Sequence, residues 1–129
     1  MEGGQTNEFR PLILVAEDDD SNFKLIKAII GKKCDIQWAK NGEEIVALFK
    51  EYGKEAKAIL MDIKMPVMNG LDATKIIREE NKEIPIIMQT AYAFSSDKEN
   101  AMNAGASEVL VKPITLSILR GTLTKYFPE

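Results

Sequence analysis

Leu12-Ile13-Leu14-Val15-Ala16 is an unbroken apolar run that stops on Glu17-Asp18-Asp19-Asp20. A strand with one wet face alternates apolar and polar residues, so a run without alternation has both faces covered, as in a parallel sheet held between two layers of helices. Ala58-Ile59-Leu60-Met61 and Ile84-Pro85-Ile86-Ile87-Met88 read the same way. Ile36-Gln37-Trp38-Ala39 and Val109-Leu110-Val111 complete five predicted strands.

Between the strands, apolar residues return at helical spacing: Phe23, Ile26 and Ile30, then Ile45, Leu48, Phe49 and Tyr52, then Leu71, Ile76 and Ile77. Ser96-Asp97-Lys98-Glu99 has the pattern of a capping box, but only Ala101, Met102 and Ala104 follow as anchors before Gly105. That fourth helix is predicted to be the least firmly held. Leu116, Leu119, Leu123 and Phe127, lying between Pro113 and Pro128, predict a terminal helix. Five strand-then-helix repeats with right-handed crossovers make an α/β fold, a doubly wound five-stranded parallel sheet with five helices. The length suits the flavodoxin-like order 2-1-3-4-5. With 129 residues, the chain is expected to form one domain over 11–129 after a polar tail at 1–10.

Composition removes several functions. Seventeen Lys and Arg against 20 Asp and Glu leave a net charge of −3, so no basic field attracts nucleic acid or an anionic membrane. The chain has no histidine, which excludes an imidazole base, a histidine metal ligand and a phosphohistidine of its own. A single cysteine, Cys34, builds neither an internal disulfide nor a cysteine-rich zinc site, and a reduced cytoplasmic setting is expected. No apolar run approaches the ~20 residues of a membrane span, and residues 1–10 lack the order of a signal peptide.

In doubly wound sheets ligands sit beyond the carboxyl ends of the strands. Those ends carry Glu17-Asp18-Asp19-Asp20, Asp62, Thr90 and Lys112. Asp19 and Asp20 read as loop residues, with Asp20, Ser21 or Asn22 expected to cap the next helix. Glu17 and Asp18 would face Asp62 if the first and third strands are neighbours. Three such carboxylates repel unless a cation sits among them. Without histidine or a thiolate cluster, that ion is Mg²⁺, or a similar hard cation such as Mn²⁺, which also anticipates a phosphoryl group. Lys112 offers a compact positive charge for phosphoryl oxygens and Thr90 a hydroxyl donor. Asp62, alone at the end of a buried strand, is the expected phosphoryl acceptor.

These residues resemble those of a response-regulator receiver domain over about residues 11–127. The matching segments are Ile13-Leu14-Val15-Ala16-Glu17-Asp18-Asp19-Asp20-Ser21-Asn22, Met61-Asp62-Ile63-Lys64-Met65-Pro66-Val67-Met68-Asn69-Gly70, Thr90-Ala91 and Val111-Lys112-Pro113. The wording around Asp62 is similar to receivers of hybrid histidine kinases. The resemblance implies that Asp18 is a direct Mg²⁺ ligand, that Glu17 acts through water and that the Lys64 backbone carbonyl is the third protein ligand. It implies Asp62 as the phosphorylated aspartate, Thr90 and Lys112 as groups that sense the phosphoryl, and a cis bond before Pro113. It also implies that Asn69-Gly70 closes the loop after Asp62, and that Lys64 and Tyr92 tune the rate of dephosphorylation. One departure is Val109, where receivers often carry an aromatic ring that swings inward. With no ring to reorient, the loop after Thr90 and the fourth helix become the expected routes for output.

The expected function is Mg²⁺-dependent transfer of a phosphoryl group from a partner's phosphohistidine, on a histidine kinase or a phosphotransfer protein, to Asp62. The donor lies outside these 129 residues, which contain no histidine. Output is expected through a partner surface or further chain, from a monomer or weak dimer. Two other readings remain at this point: a phosphohydrolase using Asp18 and Asp20, and a docking module that works without phosphorylation.

Overall fold

The computed structural model describes residues 10–92 and 96–126. Its elements run β1 (Leu12–Ala16), α1 (Asp20–Ile30), β2 (Asp35–Ala39), α2 (Gly42–Tyr52), β3 (Ala56–Asp62), α3 (Gly70–Glu80), β4 (Ile86–Thr90), α4 (Asp97–Ala104), β5 (Glu108–Val111) and α5 (Leu116–Tyr126). All neighbouring strands pair parallel, in the order β2-β1-β3-β4-β5. The expected order and class are borne out.

The apolar strands divide their side chains by the two-residue period of extended chain. Ile13 and Val15, with Ala58 and Leu60, join Phe23, Ile26 and Ile30 of α1 and Leu119 and Leu123 of α5 in one core. Leu14 and Ala16, with Ile59 and Met61, join Ile45 and Phe49 of α2, Ala73 and Ile77 of α3 and Ala101 of α4 in the other. A strand serving both cores has no face left for water, which explains the missing alternation.

Several local expectations change. β4 starts at Ile86 rather than Ile84. Asn81 Oδ1 accepts from the backbone N–H of both Glu83 and Ile84 at 2.9 Å, holding them in a turn. Pro85, which has no N–H, contributes only its carbonyl, to Ile59. The cap of α1 is Asp19, whose carboxylate accepts from the Asn22 N–H at 2.9 Å, and not Asp20, Ser21 or Asn22. The capping box at Ser96 does not form: its backbone is helical (φ −71°, ψ −3°) and its side chain makes no cap bond. On α3 the buried positions include the small residues Ala73 and Thr74 beside Ile77, while Leu71 and Ile76 are half-buried.

As expected, α4 is thinly anchored, with Ala101 and Ala104 buried and Met102 50% exposed. It ends at Gly105, whose φ of 116° favours glycine. On α5 Leu119 and Leu123 are buried but Leu116 is 46% exposed, and Phe127 and Pro128 lie outside the described residues. Of the expected tail at 1–10, residues 1–9 also lie outside them. Arg10, counted with that tail, donates to the carbonyls of Gly31, Lys32 and Cys34 after α1 and to Asp35. No described helix is long and apolar enough to cross a membrane.

Candidate functional site

Strand register builds the site. Ala16 pairs with Met61, so Glu17 and Asp62 leave β1 and β3 side by side, about 5 Å apart. Asp62 pairs with Gln89 and Thr90 with Val111, which places Thr90 and Lys112 along the same edge. Carboxylate oxygens of Glu17, Asp18 and Asp62 all lie within 4.8 Å of one another, forming a possible metal-binding group among the described residues. Asp20, the other half of the hydrolase pair, faces Lys40 at 3.5 Å.

Glu17 is fully buried and Asp62 is 6% exposed. Glu17 Oε2 accepts from the Asp19 N–H at 3.1 Å, whereas Oε1 is buried without a hydrogen-bond partner. Lys112 Nζ donates to Asp62 Oδ2 at 2.8 Å and lies 3.7 Å from Glu17 Oε1. Burial, followed by the Asp62 charge, pushes the Glu17 carboxyl up to about 7 against the Asp19 N–H and Lys112. Burial alone would lower the pKa of Lys112, but the Asp62 hydrogen bond and the charges of Asp62, Glu17 and Asp18 outweigh it and raise it. One lysine therefore faces three carboxylates, one of which holds an orphaned oxygen. This all-oxygen set fits a hard divalent cation.

The loop after Asp62 is pinned at both ends. Gly70 N–H donates to the Ile63 carbonyl at 2.8 Å, and a Cβ at Gly70 would run into the Asp62 carbonyl oxygen. Asn69 caps α3 by accepting from the Asp72 N–H, so Asn69-Gly70 closes this loop as expected. Gly42 N–H reaches across from α2 to the Met68 carbonyl, where a Cβ would also collide. Between them Met68 N–H bonds the Pro66 carbonyl around Val67, which takes the left-handed φ of 71°. Strained loop backbone of this kind clusters at functional sites.

The remaining expected residues are more dispersed. Thr90 is buried, but its hydroxyl donates to Asp97 Oδ2 at 3.0 Å and accepts from the Tyr92 N–H. It is thus committed to α4 rather than to Asp62. Lys64 is exposed at the start of the loop, with its ammonium 5.1 Å from the Tyr92 ring centre. The Lys112-Pro113 bond is cis. Val109 packs part-buried against the core on the α2–α4 side.

Trp38, which enters the sequence analysis only as part of the second predicted strand, also touches the site. Its indole N–H donates to the Glu17 carbonyl at 2.8 Å. An indole near the end of a strand, three positions before a helix-starting Asn-Gly, is the signal that could have marked it.

A family model described as the response regulator receiver domain matches residues 13–124. The chain is 41% identical to hybrid signal transduction histidine kinase I of Dictyostelium discoideum, over 91% of the chain but only 7% of that kinase. Among solved structures, it resembles the receiver domain of sensor histidine kinase PA1611 from Pseudomonas aeruginosa, solved with magnesium in its active-site cleft. The TM-score is 0.85 and the identity 30%, over 94% of this chain and all of that one. It also resembles a structure from a Saccharomyces cerevisiae complex of the phosphotransfer protein Ypd1 with the Ssk1 receiver domain, with TM-score 0.83 and 29% identity over 91% and 88% of the chains.

Proposed function

The chain belongs to the response regulator receiver family of two-component signalling, and from that premise we propose that Asp62 accepts a phosphoryl group from a phosphohistidine on a partner. The observation that carries this reading is the Lys112–Asp62 contact at 2.8 Å beside a three-carboxylate cluster with an orphaned Glu17 oxygen. Residues 11–129 form the receiver unit.

Asp18, Asp62 and the Lys64 carbonyl would hold Mg²⁺ directly and Glu17 through water, with Mn²⁺ as the other hard cation the set would accept. The bound cation supplies charge neutralisation for the phosphoryl oxygens. In the transfer, an Asp62 carboxylate oxygen attacks phosphorus as the phosphorus–nitrogen bond breaks. The imidazole nitrogen keeps the electron pair and takes a proton. Lys112 follows the developing charge on the phosphoryl oxygens, and the Thr90 hydroxyl moves from Asp97 to one of them. In hydrolysis, a water oxygen attacks phosphorus, the bond to Asp62 breaks, and free carboxylate and inorganic phosphate result. The domain thus catalyses its own modification and reversal while remaining a signalling module.

The donor is a histidine kinase or phosphotransfer protein, since this chain contains no histidine. Likeness to a hybrid kinase and to a receiver studied with a phosphotransfer protein supports that choice, and the reduced cytoplasmic setting read from the single cysteine is kept as part of this reading. The test is incubation with acetyl phosphate and Mg²⁺ followed by intact-mass measurement. Addition of one phosphoryl group that vanishes in Asp62→Asn is expected. No addition, or addition that survives the substitution, contradicts the reading.

A further inference from the structure

The peptide joining Glu17 to Asp18 carries the chain from β1 into the acidic turn, and both backbone groups of Glu17 are held by the end of β2. Glu17 N–H donates to the Ala39 carbonyl at 2.9 Å, and the Trp38 indole donates to the Glu17 carbonyl at 2.8 Å. Trp38 pairs in register with Val15 and shares its core, so its ring must extend past Ala16 to reach that carbonyl. The ring is itself held. It stacks on buried Phe23 of α1 with centroids 3.9 Å apart and planes within 1°, and the Lys40 ammonium sits 4.8 Å from its centre. A phenylalanine would fill similar space but leave the carbonyl to water.

We propose that Trp38 is a positioning residue of the divalent-cation site, its indole N–H fixing the Glu17–Asp18 peptide so that both carboxylates converge on Asp62. This rests on the reading of Glu17, Asp18 and Asp62 as the cation-binding set. Free rotation of that peptide would swing Asp18, the exposed member, away from the other two. Groups that orient metal ligands without touching the metal are commonly worth 10–100-fold in affinity, and a single hydrogen bond belongs at the lower end.

Trp38 is the only tryptophan, so it can be replaced throughout the protein by its benzothiophene analogue, which keeps both fused rings and deletes the N–H. Calorimetric titration with Mg²⁺ is expected to show about 10-fold weaker binding to the analogue and to Trp38→Phe, with metal-free melting of the analogue unchanged. In wild type, the single indole N–H resonance is expected to shift along the same saturation curve. Equal affinity in the analogue, or an unmoved resonance while Mg²⁺ binds, overturns the inference and leaves the site reading standing. Failure of wild type to bind Mg²⁺, or undiminished binding by Asp18→Asn, overturns both.

Discussion

Lys112 follows β5 at the edge of the sheet, yet its Nζ lies 2.8 Å from Asp62 Oδ2 on β3, reaching past β4. The same ammonium is 3.7 Å from Glu17 Oε1, so one cation holds two buried carboxylates while also standing where a phosphoryl oxygen would arrive. These roles separate on substitution. Lys112→Met leaves three carboxylates without their counter-charge, so Mg²⁺ should bind more tightly, while phosphoryl transfer should slow by about 100-fold. Calorimetry and acetyl phosphate kinetics on one preparation check both directions.

Glu17 gives a pH dependence whose sign is fixed. Its folded pKa is raised from 4.5 to about 7, so between those values the folded protein holds a proton that the unfolded chain has released. Stability of the metal-free protein from this group therefore falls as pH rises from 4.5 towards 7, then levels. Glu17→Gln lacks the penalty. Its melting temperature relative to wild type, measured in chelator, should climb across that window and stay flat above it; a constant difference contradicts the assignment.

Thr90 and Asp97 tie the site to α4 by a 3.0 Å hydrogen bond. With only Ala101 and Ala104 buried, α4 depends unusually on this contact. Asp97→Ala should cost about 1 kcal/mol locally and speed amide exchange over α4 in the unphosphorylated protein, with little change over α2. Because Val109 supplies no aromatic ring, phosphorylation of wild type should loosen the same helix.

Lys64 and Tyr92 face each other across the site entrance. An exposed cation–π pair is worth ~0.5–1 kcal/mol, so Lys64→Ala or Tyr92→Ala should change the hydrolysis rate of the phosphorylated form by a few-fold. The initial rate of phosphorylation by acetyl phosphate should not change.

The central strands β1, β3 and β4 were legible because burial on both faces leaves a mark along a run such as Leu12-Ile13-Leu14-Val15-Ala16. Glu17 and Asp62 were legible because each directly follows such a run, and Lys112 because it follows the shorter apolar run of the half-buried edge strand β5; parallel register then brings them together. Trp38 was not: its bond to Glu17 depends on β1–β2 register and on the ring of Phe23, neither visible in local pattern. The state of Thr90 was hidden for the same reason, since its partner Asp97 belongs to the next helix. The Ser96 capping box misled because it carries the right residue types, whereas a cap also requires a non-helical backbone.

The most direct test of the central claim is to locate the phosphoryl group chemically. Borohydride reduces an aspartyl phosphate to homoserine, which peptide mass spectrometry places in the sequence. After brief exposure to acetyl phosphate and Mg²⁺, the account predicts homoserine at position 62 alone. Homoserine at position 18 or 20, or none in a sample whose intact mass shows the added group, would contradict it.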